Sequence, residues 1–211
     1  MRPNEAATFM LPDGRILSRK HKVVTFVSRN LEPYRGFHTF MRAVEILCKR
    51  DPDCHVIIIG SDGVSYGRAP VNAKNHREKM LAEVTIDESR VHFTGHLGYA
   101  DYLIVLQIST AHVYLTVPFV LSWSMLEAMA AGCIVIGSNT APVVEVIEHG
   151  KNGFLTDFFD VQKMVDSICE VLENNTKLGH IRQNARNTIC EQYPVNKSIM
   201  QYEQLFNSLL K

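Results

Sequence analysis

The sequence predicts an α/β domain built as a doubly wound, Rossmann-like parallel sheet finished by C-terminal helices. Three observations predict it. Short β-branched runs recur with helical patterns between them, as where Val23-Val24-Thr25-Phe26-Val27 is followed by Phe37, Phe40, Met41, Val44, Leu47 and Cys48 at helical spacing. The runs are continuous rather than alternating, which marks strands covered on both faces. Strand-like runs end at glycine or small polar residues, as in His55-Val56-Ile57-Ile58-Ile59-Gly60 and Cys133-Ile134-Val135-Ile136-Gly137-Ser138.

Taken in order, residues 1–21 carry no sustained periodicity and read as a lead-in or linker, with Pro3, Pro12-Asp13-Gly14 and the basic Arg19-Lys20-His21-Lys22. The domain is expected over residues 22–211. After the first strand and helix, Asp51-Pro52-Asp53 stops the helix and the second strand follows. A polar, Gly-rich loop from Ser61 to Pro70 leads to a helical stretch near Asn75–Glu83, then to the strand Arg90-Val91-His92-Phe93-Thr94. A helix near Ala100–Ile108, the strand Ala111-His112-Val113-Tyr114-Leu115, a helix carrying Glu127 and the strand ending at Ser138 complete the alternation. Beyond Gly153-Phe154-Leu155-Thr156 the chain turns helical, with Asp160 as an N-cap and a last amphipathic helix through Ile199, Tyr202, Leu205, Phe206 and Leu209.

Composition narrows the function. Lys+Arg and Asp+Glu are both 22, so no global field draws nucleic acid or anionic lipid, and an anionic ligand must be held by a few placed cations. The cysteines Cys48, Cys54, Cys133, Cys169 and Cys190 form no C-x-x-C pair and read as buried thiols of a reducing compartment. Met1-Arg2-Pro3-Asn4-Glu5 lacks an apolar signal region, and no window approaches the roughly 18 apolar residues of a membrane span. A cytoplasmic protein is expected; a membrane surface is admitted as a partner but nothing indicates one.

Glu127 is the one carboxylate in Pro118–Gly132, a segment otherwise composed for burial. It shares a helical face with Ser124, while Met125, Leu126 and Met129 supply packing. Desolvating it alone would cost several kcal/mol, so it needs either backbone amides at the helix start or hydroxyls of a bound ligand. In a doubly wound sheet ligands sit beyond the carboxyl ends of the strands, which directs attention to Ser28-Arg29-Asn30-Leu31-Glu32-Pro33-Tyr34-Arg35-Gly36. Arg29 and Arg35 there suit a diphosphate clamp; the competing reading is a solvated loop in which Arg29 pairs with Glu32. Arginines for phosphate and a carboxylate for a sugar diol describe a nucleotide or nucleotide-sugar site. Asn139, Thr140 and Glu145, after a strand end, are weaker candidates for ligand contact.

Other motifs point away from alternative chemistry. No G-x-G-x-x-G follows the first strand, and no G-x-x-x-x-G-K-[ST] occurs, which argues against a dinucleotide oxidoreductase and a P-loop NTPase. Asp51-Pro52-Asp53 matches D-x-D but falls at the wrong edge of the sheet and reads as turn chemistry. His92 and His96 are separated by strand-to-loop residues, so no shared metal is expected.

Phe26-Val27-Ser28-Arg29 with Tyr34-Arg35-Gly36, Val91-His92-Phe93-Thr94-Gly95, Leu126-Glu127-Ala128-Met129-Ala130-Ala131-Gly132 and Val144-Glu145-Val146-Ile147 with Gly150-Lys151-Asn152-Gly153-Phe154-Leu155 together resemble one family. It is the carboxyl-terminal, donor-binding domain of family 4 (group 1) retaining glycosyltransferases, one half of a GT-B fold. The resemblance implies that Arg29 and Arg35 take the places of the family's Arg and Lys on the donor diphosphate, and that Glu127 matches the ribose-binding second Glu of E-x7-E. The first Glu of that motif falls at Phe119, and Val120 and Ser122 stand where glycines are usual. The candidate donor-binding set is Glu127, Ser124, Phe119, Met125, Leu126 and Gly95, with Arg29 and Arg35 catalytic. The resemblance further implies a nucleoside-diphosphate sugar as co-substrate, no metal and no other cofactor, and an acceptor-binding amino-terminal domain absent from this chain, which alone is expected to bind donor without turnover. A noncatalytic nucleotide-binding or interaction module, and a GT-B epimerase or phosphorylase, are the alternatives.

Overall fold

A computed structural model describes Asn4 and residues 6–210. Most of the Met1–Glu5 reading therefore lies outside the described residues. A six-stranded sheet forms the centre, from β3 (Lys22–Asn30), β4 (Cys54–Ser61), β5 (Val91–Gly95), β6 (Ala111–Tyr114), β7 (Ile134–Ser138) and β8 (Phe154–Thr156), preceded by a short hairpin of β1 (Thr8–Met10) and β2 (Ile16–Ser18). Its spatial order is β5-β4-β3-β6-β7-β8, with every neighbouring pair parallel. The chain moves outward from β3 to β5, then returns to β6 on the other side. The order thus reverses between β3 and β6, and the crevice beyond their carboxyl ends is where such sheets take ligands.

The continuous apolar runs are explained by two covered faces. Val24, Phe26, Val56, Ile58, Val113 and Ile136 face one core with α1 (Phe37–Arg50) and α6 (Val161–Glu173). Phe26 stacks on Phe40 there at 4.7 Å between centroids. The alternate residues Val23, Ile57, Ile59 and Val135 face α3 (Tyr99–Ile108) and α4 (Trp123–Ala131), with α7 (Gly179–Gln192) packed outside α4. Asn75 caps α2 (His76–Glu83) through Glu78 N–H at 2.7 Å, and Asp160 caps α6 through Lys163 N–H at 2.9 Å. The brief α5 (Ala141–Val144) follows β7.

Two sequence expectations need correction. Residues 7–18 are folded onto the domain: Ala7, Leu11 and Leu17 are buried with Val23, Ile57, Val105 and Ile108. The overlooked signal is Asp13-Gly14 between two short apolar runs, a hairpin pattern. Phe154–Thr156 pairs with β7 as a sixth strand, too short to show a period of its own. The last amphipathic helix forms as expected, as α8 (Val195–Leu209), and none of its residues is buried among the described residues. Among the described residues no helix is long and apolar enough to cross a membrane. Of the cysteines, Cys190 is exposed and the other four are buried, with burial holding Cys133 up at about 11.

Several histidines are enclosed as neutral groups. Burial lowers His112 to about 3 and His92 to about 4; His92 also lies 3.3 Å from His55, which burial lowers too. A histidine whose folded pKa lies below its unfolded value leaves the unfolded chain binding more protons in that interval. Stability is therefore complete above about pH 6.5 and declines as pH falls toward about 4. Urea unfolding at pH 7 and pH 4.5 is expected to show a loss of a few kcal/mol, with His92→Gln reducing the slope; a flat profile would contradict neutral burial.

Candidate functional site at the sheet crevice

The loop after β3 is shaped for close approach. A 3-10 turn at Pro33–Arg35 ends at Gly36, whose φ of +72° starts α1 from the left-handed region. A Cβ at Gly36 would overlap Leu115, so glycine is what lets this loop lie against the end of β6. Arg35 is half-buried as a result. Its Nη1 donates to Thr116 Oγ1 at 3.0 Å, and to Tyr114 OH and Val120 O at 3.4 Å each. Tyr66 and Phe119 contact the guanidinium, their ring centroids 5.4 and 5.5 Å from its carbon, and meet each other edge to face at 5.0 Å. Among the described residues Arg35 has no carboxylate partner, so its charge is oriented but not neutralised.

Arg29 is exposed at the end of β3 and does not pair with Glu32. Glu32 is instead 1% exposed, and its Oε2 accepts the backbone N–H groups of Gly67 at 3.0 Å, Tyr66 at 3.1 Å and Ser65 at 3.4 Å. Those amides satisfy the buried carboxylate and fix the Gly-rich loop that carries Tyr66 over Arg35.

Glu127 lies on α4, which Ser122 caps and Gly132 ends in the left-handed conformation. Its partners are neither helix-start amides nor another carboxylate. Tyr99 OH donates to Oε1 at 2.9 Å and Tyr102 OH to Oε2 at 2.7 Å. Burial and then the carboxylate keep Tyr102 protonated, and the hydrogen bond to Glu127 does the same for Tyr99. Each carboxylate oxygen has further acceptor capacity, and Glu127 is only half-buried. The segment around it is less enclosed than its composition implies: Trp123 is 79% exposed, and Phe119 and Val120 are exposed beside it.

The remaining candidates divide. Gly95 closes β5 at φ +66° beside open space. Ser124 is buried and bonded to Ser122 Oγ at 3.0 Å, not to Glu127. Met125 is fully buried and Leu126 is half-buried against the same core, and neither lines the two cavities described below. Thr140 joins Ser138 Oγ at 3.2 Å, and Ser138 in turn accepts Thr116 N–H at 3.0 Å, which braces the residue that holds Arg35. Glu145 is exposed on a separate shallow cleft with α7. Sequence reasoning missed Tyr66, Tyr99, Tyr102 and Tyr114; the Tyr99-x-x-Tyr102 spacing just after the Gly95–Gly98 loop is the signal that was there.

Two cavities meet at Arg29. One, of about 210 Å³, holds Arg35, Tyr66 and Phe119; the other, of about 400 Å³, holds Gly60, His96, Tyr99 and Tyr102. Val27, Ser28 and Arg29 line both. Asp51 lies at the opposite edge, tied to Lys22 Nζ at 2.7 Å and to Asp53 N–H at 3.1 Å.

Comparison with known proteins identifies the family and the fold. A family model described as glycosyl transferases group 1 matches residues 14–188. An uncharacterized glycosyltransferase of Haemophilus influenzae is 26% identical over 92% of this chain and 51% of its own length. The N-acetyl-alpha-D-glucosaminyl L-malate synthase of Bacillus anthracis is 31% identical over 41% of this chain and 23% of its own. Structural neighbours are GT-B glycosyltransferases. Anabaena HepE, solved with UDP-glucose, superposes at a TM-score of 0.76 with 23% identity, over 89% of this chain and 49% of HepE. The C-terminal domain of the Francisella tularensis group 1 protein LpcC gives 0.74 at 19% identity, over 92% and 96% of the two chains. The chain spans about half the length of the Haemophilus relative.

Proposed function

The chain belongs to the group 1 glycosyl transferases, and from that premise we propose that it is the donor-binding half of an enzyme that transfers a sugar from a nucleoside diphosphate to an acceptor with retention. The observation that carries this reading is the placement of Arg29, Arg35 and the two tyrosines that hold Glu127 on two cavities sharing Arg29 at the reversal point of the sheet. Ribose hydroxyls donate to Glu127, whose carboxylate Tyr99 and Tyr102 hold in place. The diphosphate spans Arg29 toward Arg35. As the bond from the sugar's anomeric carbon to the diphosphate oxygen breaks, the charge gathering on that oxygen meets the Arg35 guanidinium already oriented by neutral acceptors, which costs no reorganisation at the moment of reaction. We assign this charge to the two arginines and to no metal, supported by the Asp51 carboxylate being committed to Lys22 and to the Asp53 backbone N–H at the far edge. The acceptor, and with it turnover, belongs to an amino-terminal domain of the same enzyme, and we place the reaction in the cytoplasm.

Thermal unfolding in the presence of UDP, GDP and ADP tests the reading. A nucleotide at 100 times its Kd is expected to stabilise the chain by about 2.7 kcal/mol. The absence of any shift would favour a noncatalytic interaction module, the alternative that Phe119 in place of a carboxylate motivates. Glu127 has its own test. Glu127→Ala is expected to weaken ribonucleotide binding about tenfold and to abolish discrimination between the nucleotide and its 2′-deoxy form, because the lost contacts are charge-assisted. An undiminished preference for ribose in that variant would remove Glu127 from the site.

A further inference from the structure

Glu127 stands one step back from the crevice. Its carboxylate is on the wall of neither cavity, whereas Tyr99 and Tyr102, whose hydroxyls donate to its two oxygens at 2.9 and 2.7 Å, both line the cavity of about 400 Å³. A ribose entering there meets the tyrosines before the carboxylate. On the donor-site reading above, on which this inference rests, ribose hydroxyls end on Glu127, so one phenol must give way.

The two tyrosines are anchored differently. Tyr102 is half-buried and packs against both apolar clusters on the α3–α4 face of the sheet. Its backbone N–H donates to Gly98 O at 2.9 Å, closing the first turn of α3. Tyr99 is 63% exposed, belongs to neither cluster, and opens α3 directly after Gly98, which has no side chain to cap the helix. Among the described residues its one aromatic neighbour is Tyr102, at 5.9 Å between centroids. The first residue of a helix frays at low cost. Released to water, the Tyr99 hydroxyl exchanges a carboxylate for a water molecule and loses only the net value of one hydrogen bond; Tyr102, held among apolar side chains, would be left with a half-buried hydroxyl lacking a partner.

We propose that Tyr99 is a displaceable cover on Glu127. In the free chain its hydroxyl occupies Oε1, the place of a ribose hydroxyl, and it leaves when the nucleotide enters. Tyr102 stays on Oε2 as the positioning residue that keeps the carboxylate turned toward the cavity. A carboxylate oxygen has two lone pairs, so Oε2 accepts Tyr102 and a second ribose hydroxyl together. Only a ligand whose hydroxyl takes over Oε1 recovers what the release of Tyr99 gives up, so the cover favours a ribonucleotide over its deoxy forms. The two phenols therefore act with opposite sign on binding, although both donate to the same carboxylate.

Calorimetric titration of the 211-residue chain with UDP, GDP and ADP finds the diphosphate that binds, which is then compared with its 2′,3′-dideoxy analogue. Tyr99→Phe, which deletes only the hydroxyl, is expected to bind the ribonucleotide about threefold to tenfold more tightly than wild type and to leave the affinity for the analogue unchanged. Tyr102→Phe is expected to weaken the ribonucleotide about tenfold, again without effect on the analogue, a split that a merely structural loss would not produce. In a chain carrying 3-fluorotyrosine, the fluorine resonance that Tyr99→Phe removes is expected to move with the ribonucleotide and to stay in place with the analogue. Ribonucleotide binding that is weaker or unchanged in Tyr99→Phe, or an equal gain for the analogue, overturns the cover while leaving the donor site standing, provided Glu127→Ala still loses its preference for ribose. Failure of all three diphosphates to bind, or an undiminished ribose preference in Glu127→Ala, overturns both.

Discussion

Arg35→Ala is expected to weaken binding of the nucleoside diphosphate about a hundredfold, or about 2.7 kcal/mol. The size follows from where the guanidinium lies. It is half-buried against two aromatic rings, so its field is screened less than that of a surface cation, and its hydrogen bonds go to Thr116, Tyr114 and Val120 rather than to a carboxylate. Its orientation is already set and its charge is still to be matched, the condition under which a preorganised cation contributes most. Arg35→Lys retains the charge and loses the planar fork, and is expected to recover only part of the affinity. Arg29 is exposed, so Arg29→Ala is expected to cost about tenfold and to lose that effect at high salt. Calorimetric titration at low and high ionic strength measures each value. An unchanged Kd for Arg35→Ala would move the diphosphate elsewhere.

The largest stability effect is expected at Gly36. Two independent costs meet there: a non-glycine side chain is disfavoured at φ +72°, and its Cβ would lie 2.6 Å from Leu115 Cδ1. Together a left-handed penalty of about 1 kcal/mol and overpacking of about 1–3 kcal/mol predict a loss of about 2–4 kcal/mol for Gly36→Ala. Gly36→Val is expected to be worse, since its branched side chain adds volume against a fully packed strand end. The consequence reaches the site. Gly36 joins the 3-10 turn to α1, and relief of the clash with Leu115 must carry Arg35 away from Thr116. Urea denaturation gives the first effect and nucleotide affinity of the folded fraction gives the second; Gly36→Ala with wild-type values of both would show that the loop does not need its close approach.

Much of this was legible in one dimension. The runs at Val23–Val27, His55–Gly60, Ala111–Leu115 and Cys133–Ser138 announce strands covered on both sides, because a parallel strand must be apolar toward each layer of helices. Arg29, Arg35 and Glu127 could be selected because charge in a loop after a strand, or within an apolar helix, is costly or purposeful on local grounds alone. The hairpin at Thr8–Ser18 and the strand Phe154–Thr156 escaped detection. At three residues an element shows no period, and its stability comes from the surface that it covers.

By itself the sequence determined most of the alternation of elements, that the strands are covered on both faces, and which loops carry the cations. Only the tertiary structure decided which groups meet: Glu127 with Tyr99 and Tyr102, Arg35 with Thr116, Tyr66 and Phe119, Glu32 with the amides of residues 65–67. The physical reason is separation along the chain. Periodicity encodes neighbours one turn or one pleat away, whereas these partners are 25 to 84 residues apart and are brought together by the order in which the strands are laid beside β3.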